Sequence, residues 1–142
     1  MTDLRLNAQV AVENYINFLQ RINTRNLRLI EKCSEINISF SDDKNYGYGH
    51  DAVQNIFLEK LENFKNLKYK IKETIWAEDD LSIYLIGDIV WQNNLEKNES
   101  IGVIVNLGVS KEGRITSHHE YKDKIMEIPP EKTFWQRVLG GD

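Results

Sequence analysis

A lone cysteine, Cys33, leaves no partner for an intramolecular disulfide, so packing alone must hold the fold and a reducing compartment is expected. Only two prolines occur, adjacent at Pro129-Pro130, where they end the pattern of elements rather than break into it. No apolar run approaches the roughly 20 residues needed to span a bilayer. The opening M-T-D-L-R-L-N-A-Q lacks the basic stretch and apolar core of a secretory signal, so a cytoplasmic protein with no membrane partner is expected. Basic clusters are missing too: 18 Lys and Arg are dispersed among 22 Asp and Glu, for a net charge of −4. A phosphate backbone would want a basic face, so a nucleic-acid partner is not expected. Repeats and low-complexity tracts are absent. At 142 residues the length suits one domain, 1–142, with a real core.

What is present is periodicity. From about Leu6 to Ile22, Val12, Tyr15, Ile16, Leu19 and Ile22 recur at helical spacing. Thr24 is placed to cap a short second helix running through Cys33. Ile36, Ile38 and Phe40 alternate with polar residues as in a half-buried strand. S-D-D-K-N-Y-G-Y-G, 41–49, has the composition of a loop. A third helix follows from about Asp51 to Phe64, with Val53, Ile56, Phe57, Leu61 and Phe64 as its apolar stripe.

Four strands come next. Leu67 to Trp76 places Tyr69, Ile71 and Ile75 on one face and Lys68, Lys70 and Lys72 on the other, a solvated or aggregation-resistant face. Leu81 to Trp91 is apolar on both faces. Ile101 to Val109 points alternate residues inward. Lys111-Glu112-Gly113 signals a tight turn into a last strand, Arg114 to Asp123, reading R-I-T-S-H-H-E-Y-K-D. Extended, it puts Thr116, His118 and Glu120 on one face. Phe134, Trp135, Val138 and Leu139 suggest a short C-terminal helix. Helices segregated to one end of a curved antiparallel sheet make an α+β fold, ordered α-α-β-α-β-β-β-β with that final helix. A long curved sheet wrapped on the helices would form a cone with an open mouth, a natural place for a small ligand.

This order of elements resembles the nuclear transport factor 2-like superfamily, which includes ketosteroid isomerase-like and SnoaL-like proteins. The residues that carry the resemblance are F-S-D-D-K-N-Y-G-Y-G-H-D-A-V, 40–53, and G-R-I-T-S-H-H-E-Y-K-D, 113–123. The tail, with Pro129-Pro130 and F-W-Q-R-V-L, is similar to an uncharacterised bacterial subgroup. By spacing, Asp42 falls where ketosteroid isomerases keep a catalytic base. Their oxyanion donors would fall at about Phe18 and Val105, neither of which donates a hydrogen bond, so that activity is not expected. The Arg-x-Asp pair of epoxide-hydrolase-like members would fall at Gly87 and Ile89, and Asp88 would face the other way. SnoaL-like cyclases use a carboxylate in the closing strand, a place that Glu120 fills. The resemblance also implies a homodimer paired through the outer sheet face.

The candidate catalytic residues are therefore Glu120, its partner His118, and Asp42 across the pocket. Glu120 reads either as an acid/base group whose pKa burial would raise, or as a carboxylate paired with Lys or Arg at the cone mouth. Asp42 is a base or the cap of a turn, and His50 a residue beside a helix cap. Phe18, Trp91, Val105, Thr116 and Tyr46 are the expected ligand-lining residues. A metal set of His118, Glu120 and Asp42 or His50 lacks a diagnostic spacing, so neither metal nor cofactor is expected. The function expected is binding of a small apolar metabolite in an internal pocket. If catalytic, the protein would be a cofactor-independent isomerase, cyclase or hydratase. The alternative is a non-catalytic ligand-binding or dimerisation module.

Overall fold

A computed structural model describes residues 2–123; the expected C-terminal helix around Phe134 and Trp135 lies outside the described residues. Helix α1, Thr2–Gln20, buries Ala8, Ala11, Val12, Tyr15, Phe18 and Leu19, a stripe at three- and four-residue spacing. It ends where asparagines replace that stripe. Asn26 donates its Nδ2 to the Arg21 carbonyl (2.9 Å), and its Oδ1 accepts the Asn23 N–H (2.9 Å). The second helix is shorter than expected: a 3-10 turn, Leu27–Leu29, leads into α2, Ile30–Cys33. Thr24 caps nothing there, because Asn26 precedes the turn and makes no side-chain cap, and the Arg25 N–H bonds to Asn23 Oδ1 instead.

Strand β1, Ser34–Ser41, keeps Ile38 and Phe40 inward but leaves Ile36 77% exposed. The cause is a shift of register against β6 between Ser34 and Ser39, which breaks the alternation expected of Ile36, Ile38 and Phe40. The stretch expected as a loop contains a further strand, β2, Tyr46–Tyr48, which pairs antiparallel with the end of β1. Helix α3, His50–Asn63, follows at Gly49, whose φ of 95° suits a residue without Cβ.

Strands β3 (Lys65–Trp76), β4 (Ser82–Gln92), β5 (Asn98–Val109) and β6 (Ile115–Lys122) form antiparallel neighbours. The sheet order is β2-β1-β6-β5-β4-β3, and β1 lies parallel to β6. The sheet is mixed rather than wholly antiparallel as expected, because β1 enters beside the last strand and not beside a hairpin partner there. The architecture is α+β, a curved and unclosed sheet over the helices. A bulge between Ile71 and Glu73 sends Ile75 opposite Tyr84, to the outer face rather than beside Tyr69 as its spacing predicts. Gly87 permits that bulge, since a Cβ there would lie 1.9 Å from the Lys70 carbonyl oxygen. On β5, Ile101, Val103, Val105, Leu107 and Val109 are all buried, as their alternation predicts.

Candidate functional site

Strand β6 runs between β5 and β1, so its inward side chains meet the helices across the middle of the cone. Two polar residues point there: His118 is fully buried and Glu120 is 3% exposed. The His118 ring stacks on Phe40, with centroids 4.5 Å apart, and meets Tyr15, Phe57 and Tyr69 edge-on at 5.7, 5.8 and 6.3 Å. Among the described residues, aromatic rings thus occupy the interior where a pocket was expected.

The hydrogen bonds form a chain. His118 Nε2 lies 2.8 Å from Glu120 Oε1, the Tyr69 hydroxyl donates to the same oxygen (2.7 Å), and the Tyr15 hydroxyl lies 2.7 Å from His118 Nδ1. One proton arrangement satisfies every member: a neutral imidazole with its proton on Nε2, donating to Glu120 and accepting from Tyr15. Charge shifts agree with it. Burial holds the imidazole below its ordinary 6.5, outweighing the upward pull of Glu120. Burial likewise keeps both tyrosines protonated by pushing them well above their ordinary 10.0. Both imidazole nitrogens are engaged, so neither has a lone pair for a metal.

Glu120 departs from expectation. Burial does push its carboxyl up, but the hydrogen bond from His118 and the nearby Lys60 and Lys122 charges prevail and bring it down to about 2. Lys122 Nζ lies 3.2 Å from Oε2 and Lys60 Nζ 3.9 Å. Neither contact has hydrogen-bond geometry, so Oε2 is a buried oxygen that accepts no hydrogen bond among the described residues. Asp42 joins the same cluster. Its Oδ2 contacts Lys60 (2.7 Å) and Lys122 (3.3 Å), while Oδ1 accepts the Lys44 and Asn45 N–H groups at 2.8 and 2.7 Å. Burial opposes ionisation there too, but the Lys60 hydrogen bond and the turn N–H groups hold Asp42 well below the usual carboxylate range. Asp42 thus both closes the turn between β1 and β2 and pairs with the lysines.

Lys60 and Lys122 are also the floor of an open groove of about 1080 Å³. Phe64, Leu67, Ile89, Trp91 and Ile101 give it an apolar wall, and Asp42, Asp43, Lys44, Glu59 and Glu99 supply its other charges. Phe64 and Trp91 meet edge-on at 5.3 Å, and Trp91 Nε1 donates to Glu99 Oε1 (3.0 Å).

Of the expected residues, Asp42 and Trp91 line this groove, and Glu120 and His118 lie behind its lysines. Phe18 and Val105 are core residues, 5% and 0% exposed. Tyr46 is 71% exposed on β2, away from the groove lining. Thr116 is the unpaired residue of a bulge, since Gly108 pairs with Ser117 and Val109 with Ile115. It lies beside Gly108, and only His118 and Glu120 keep the inward face expected of all three. Asp88 faces outward, as expected, and pairs with Lys72 (2.7 Å). His50 Nε2 lies 3.0 Å from Ser34 Oγ, apart from the cluster.

Four residues that complete the site were not anticipated: Tyr15, Tyr69, Lys60 and Lys122. A signal for Lys60 exists, because it sits seven residues after Val53 and three after Phe57, on the apolar stripe of α3, and its side chain is only 12% exposed. Lys122 follows Glu120 by two residues, hence on one strand face. Tyr15 supplies from α1 the interior hydroxyl that position 18 lacks.

Comparisons with known proteins place this geometry. No family model matches the sequence, and neither does any curated protein. Solved structures do match. A phenazine biosynthesis-related protein from Pseudomonas aeruginosa aligns with 89% of this chain and 81% of its own, at 12% identity and a TM-score of 0.71. An NTF2-like protein of unknown function from Cytophaga hutchinsonii aligns over 82% and 90%, at 23% identity and 0.61. The epoxide hydrolase/cyclase-like enzyme SalBIII, of pyran ring formation in salinomycin, aligns over 85% and 94%, at 13% and 0.69. The chain therefore has the nuclear transport factor 2-like fold. In the described residues no helix is long and apolar enough to cross a membrane.

Proposed function

We propose that the protein binds a small, largely apolar metabolite in the groove between α3 and the ends of β3–β5. Glu120, ionised at neutral pH, acts there as a proton or hydrogen-bond acceptor, without a cofactor. The observation that carries this reading is Glu120 Oε2, a buried carboxylate oxygen that accepts no hydrogen bond among the described residues and is only ion-paired, lying directly behind lysines that line the groove. His118 and Tyr69 both hold Oε1, which leaves Oε2 as the reactive oxygen. Cyclase-type chemistry occurs on this fold, since SalBIII is an epoxide hydrolase/cyclase-like enzyme.

The second reading is a non-catalytic binding or dimerisation module, favoured by the aromatic packing that fills the cone around His118. For either reading we place the protein in the cytoplasm as a homodimer paired through the outer sheet face, where Ile75, Tyr84, Ile104 and Tyr121 are exposed. Native mass spectrometry of the full chain, with and without Trp91→Ala, tests binding and assembly together. A small molecule retained by the wild type and lost by the variant supports the groove. Retention by both places the ligand elsewhere, and a monomeric mass refutes the dimer.

A further inference from the structure

On the reading of the groove as a ligand site, we propose that its ligand is uncharged and carries a hydroxyl beside a hydrogen-bond acceptor. Lys122, which covers Glu120 Oε2, turns toward the groove; the hydroxyl then donates to Oε2, and the acceptor takes an N–H from Lys122.

The floor and the carboxylate behind it are a balanced set of charges: Asp42 in the lining and Glu120 beneath it face the Lys60 and Lys122 ammonium groups. The set is uneven in how well each member is satisfied. Asp42 has two backbone N–H donors on Oδ1 and Lys60 at 2.7 Å on Oδ2, whereas Glu120 Oε2 accepts no hydrogen bond. Lys60 is held at that short distance. Lys122 spreads over Glu120, Asp42 and Asp43 at 3.2, 3.3 and 3.5 Å, so it can turn one N–H to a ligand without giving up a short bond. An unfilled acceptor beside a loosely held donor matches a group that donates with one atom and accepts with its neighbour.

Charge excludes the alternatives. A carboxylate ligand would find both floor lysines already paired, and a rim where Asp43, Glu59 and Glu99 outnumber Lys44. An ammonium ligand reaching for Oε2 would meet two ammonium groups within 4 Å of that oxygen, at 3.2 and 3.9 Å. The apolar wall of Phe64, Leu67, Ile89, Trp91 and Ile101 suits the ring or chain that carries the polar pair.

The test uses five ring compounds of similar size and the full-length protein. They are guaiacol (donor beside acceptor), phenol (donor), anisole (acceptor), benzoate (anion) and benzylamine (cation). Binding is read from the Trp91 indole N–H cross-peak in ¹H–¹⁵N spectra, identified by its loss in Trp91→Phe. One net hydrogen bond multiplies affinity by roughly 2 to 12. Guaiacol is expected to bind more tightly than phenol or anisole by about that factor, and Lys122→Met to reduce it to the level of phenol. Lys122→Gln, which keeps a donor, is the second variant if Lys122→Met does not fold. Equal affinities for guaiacol and phenol would overturn the paired recognition. Tighter binding of benzoate or benzylamine would overturn the ligand class while leaving the groove as a site. If no probe moves the Trp91 cross-peak, the groove reading itself fails.

Discussion

Replacing Glu120 by Gln is the most informative single change, because it keeps the shape of the side chain and removes only its charge. The amide oxygen can still accept from His118 Nε2 and Tyr69 at 2.8 and 2.7 Å. The new NH₂ then points at Lys122 and Lys60, donor against donor, at the 3.2 and 3.9 Å positions of Oε2. Two buried ammonium groups are left with Asp42 as their main counter-charge. Breaking one partner from a buried pair costs about 3–5 kcal/mol. Linkage gives a similar figure: lowering a carboxyl from 4.5 to about 2 corresponds to about 3 kcal/mol of stability at neutral pH. Urea unfolding at pH 7, followed by tryptophan fluorescence, should show a lower midpoint with an unchanged slope. The sign of the pH effect follows from the depressed pKa. The Glu120 contribution is complete above about 4.5 and is lost as pH falls toward about 2. The wild type should therefore weaken across that window, and the Gln variant should weaken less. A Gln variant within about 0.5 kcal/mol of wild type, with the same acid limb, would refute an ionised Glu120 bound to lysines.

Other changes probe the network and the frame around it. Tyr15→Phe removes the donor to His118 Nδ1 and leaves a buried acceptor unfilled, a loss of about 1–3 kcal/mol in the same urea assay. Gly87→Ala forces a Cβ to 1.9 Å from the Lys70 carbonyl oxygen, so β3 must move; a loss of about 1–3 kcal/mol or more is expected in thermal melts. Because His118 is held below 6.5 when folded, its contribution is present above 6.5 and is lost as pH falls through its folded value. Its titration by NMR should accordingly show the imidazole less than half protonated at pH 6.5. Ile36→Ser, at a side chain that is 77% exposed, should change stability by less than about 0.5 kcal/mol.

The helices and the antiparallel strands were legible because each keeps one period over many residues. The stripe of α1 and the five inward residues of β5 are the clear cases. What failed to show in the sequence were the places where the period breaks. The β1 register shift exposes Ile36, the β3 bulge turns Ile75 outward, and the β5–β6 bulge removes Thr116 from the inward row. A bulge is chosen by strand pairing, and pairing partners lie far apart in the chain. The site divides in the same way. His118 and Glu120 were visible as polar residues on an inward strand face, whereas Tyr15 and Tyr69 look like ordinary core residues until their hydroxyls meet that pair. The Glu120 shift runs opposite to the rise expected from burial, because the His118 hydrogen bond and Lys60 and Lys122 outweigh burial, and of these Lys60 on α3 lies 60 positions away in sequence.

Such a cluster has a structural cost that an apolar core would avoid, because four charges are withdrawn wholly or in part from water. Packing alone would favour hydrophobic residues at positions 60, 120 and 122, next to Phe40 and Phe57. The His118 hydrogen bond and the lysines keep Glu120 ionised at neutral pH, a state that burial alone would abolish. The same arrangement leaves one carboxylate oxygen without a hydrogen bond. Both oxygens of Glu120 are engaged, Oε1 by His118 and Tyr69 and Oε2 by ion pairs to the lysines, but among the described residues Oε2 accepts no full hydrogen bond, whereas both oxygens of Asp42 do. On the proposed reading of the groove, that difference singles out Glu120 as the carboxylate to test for contact with a ligand.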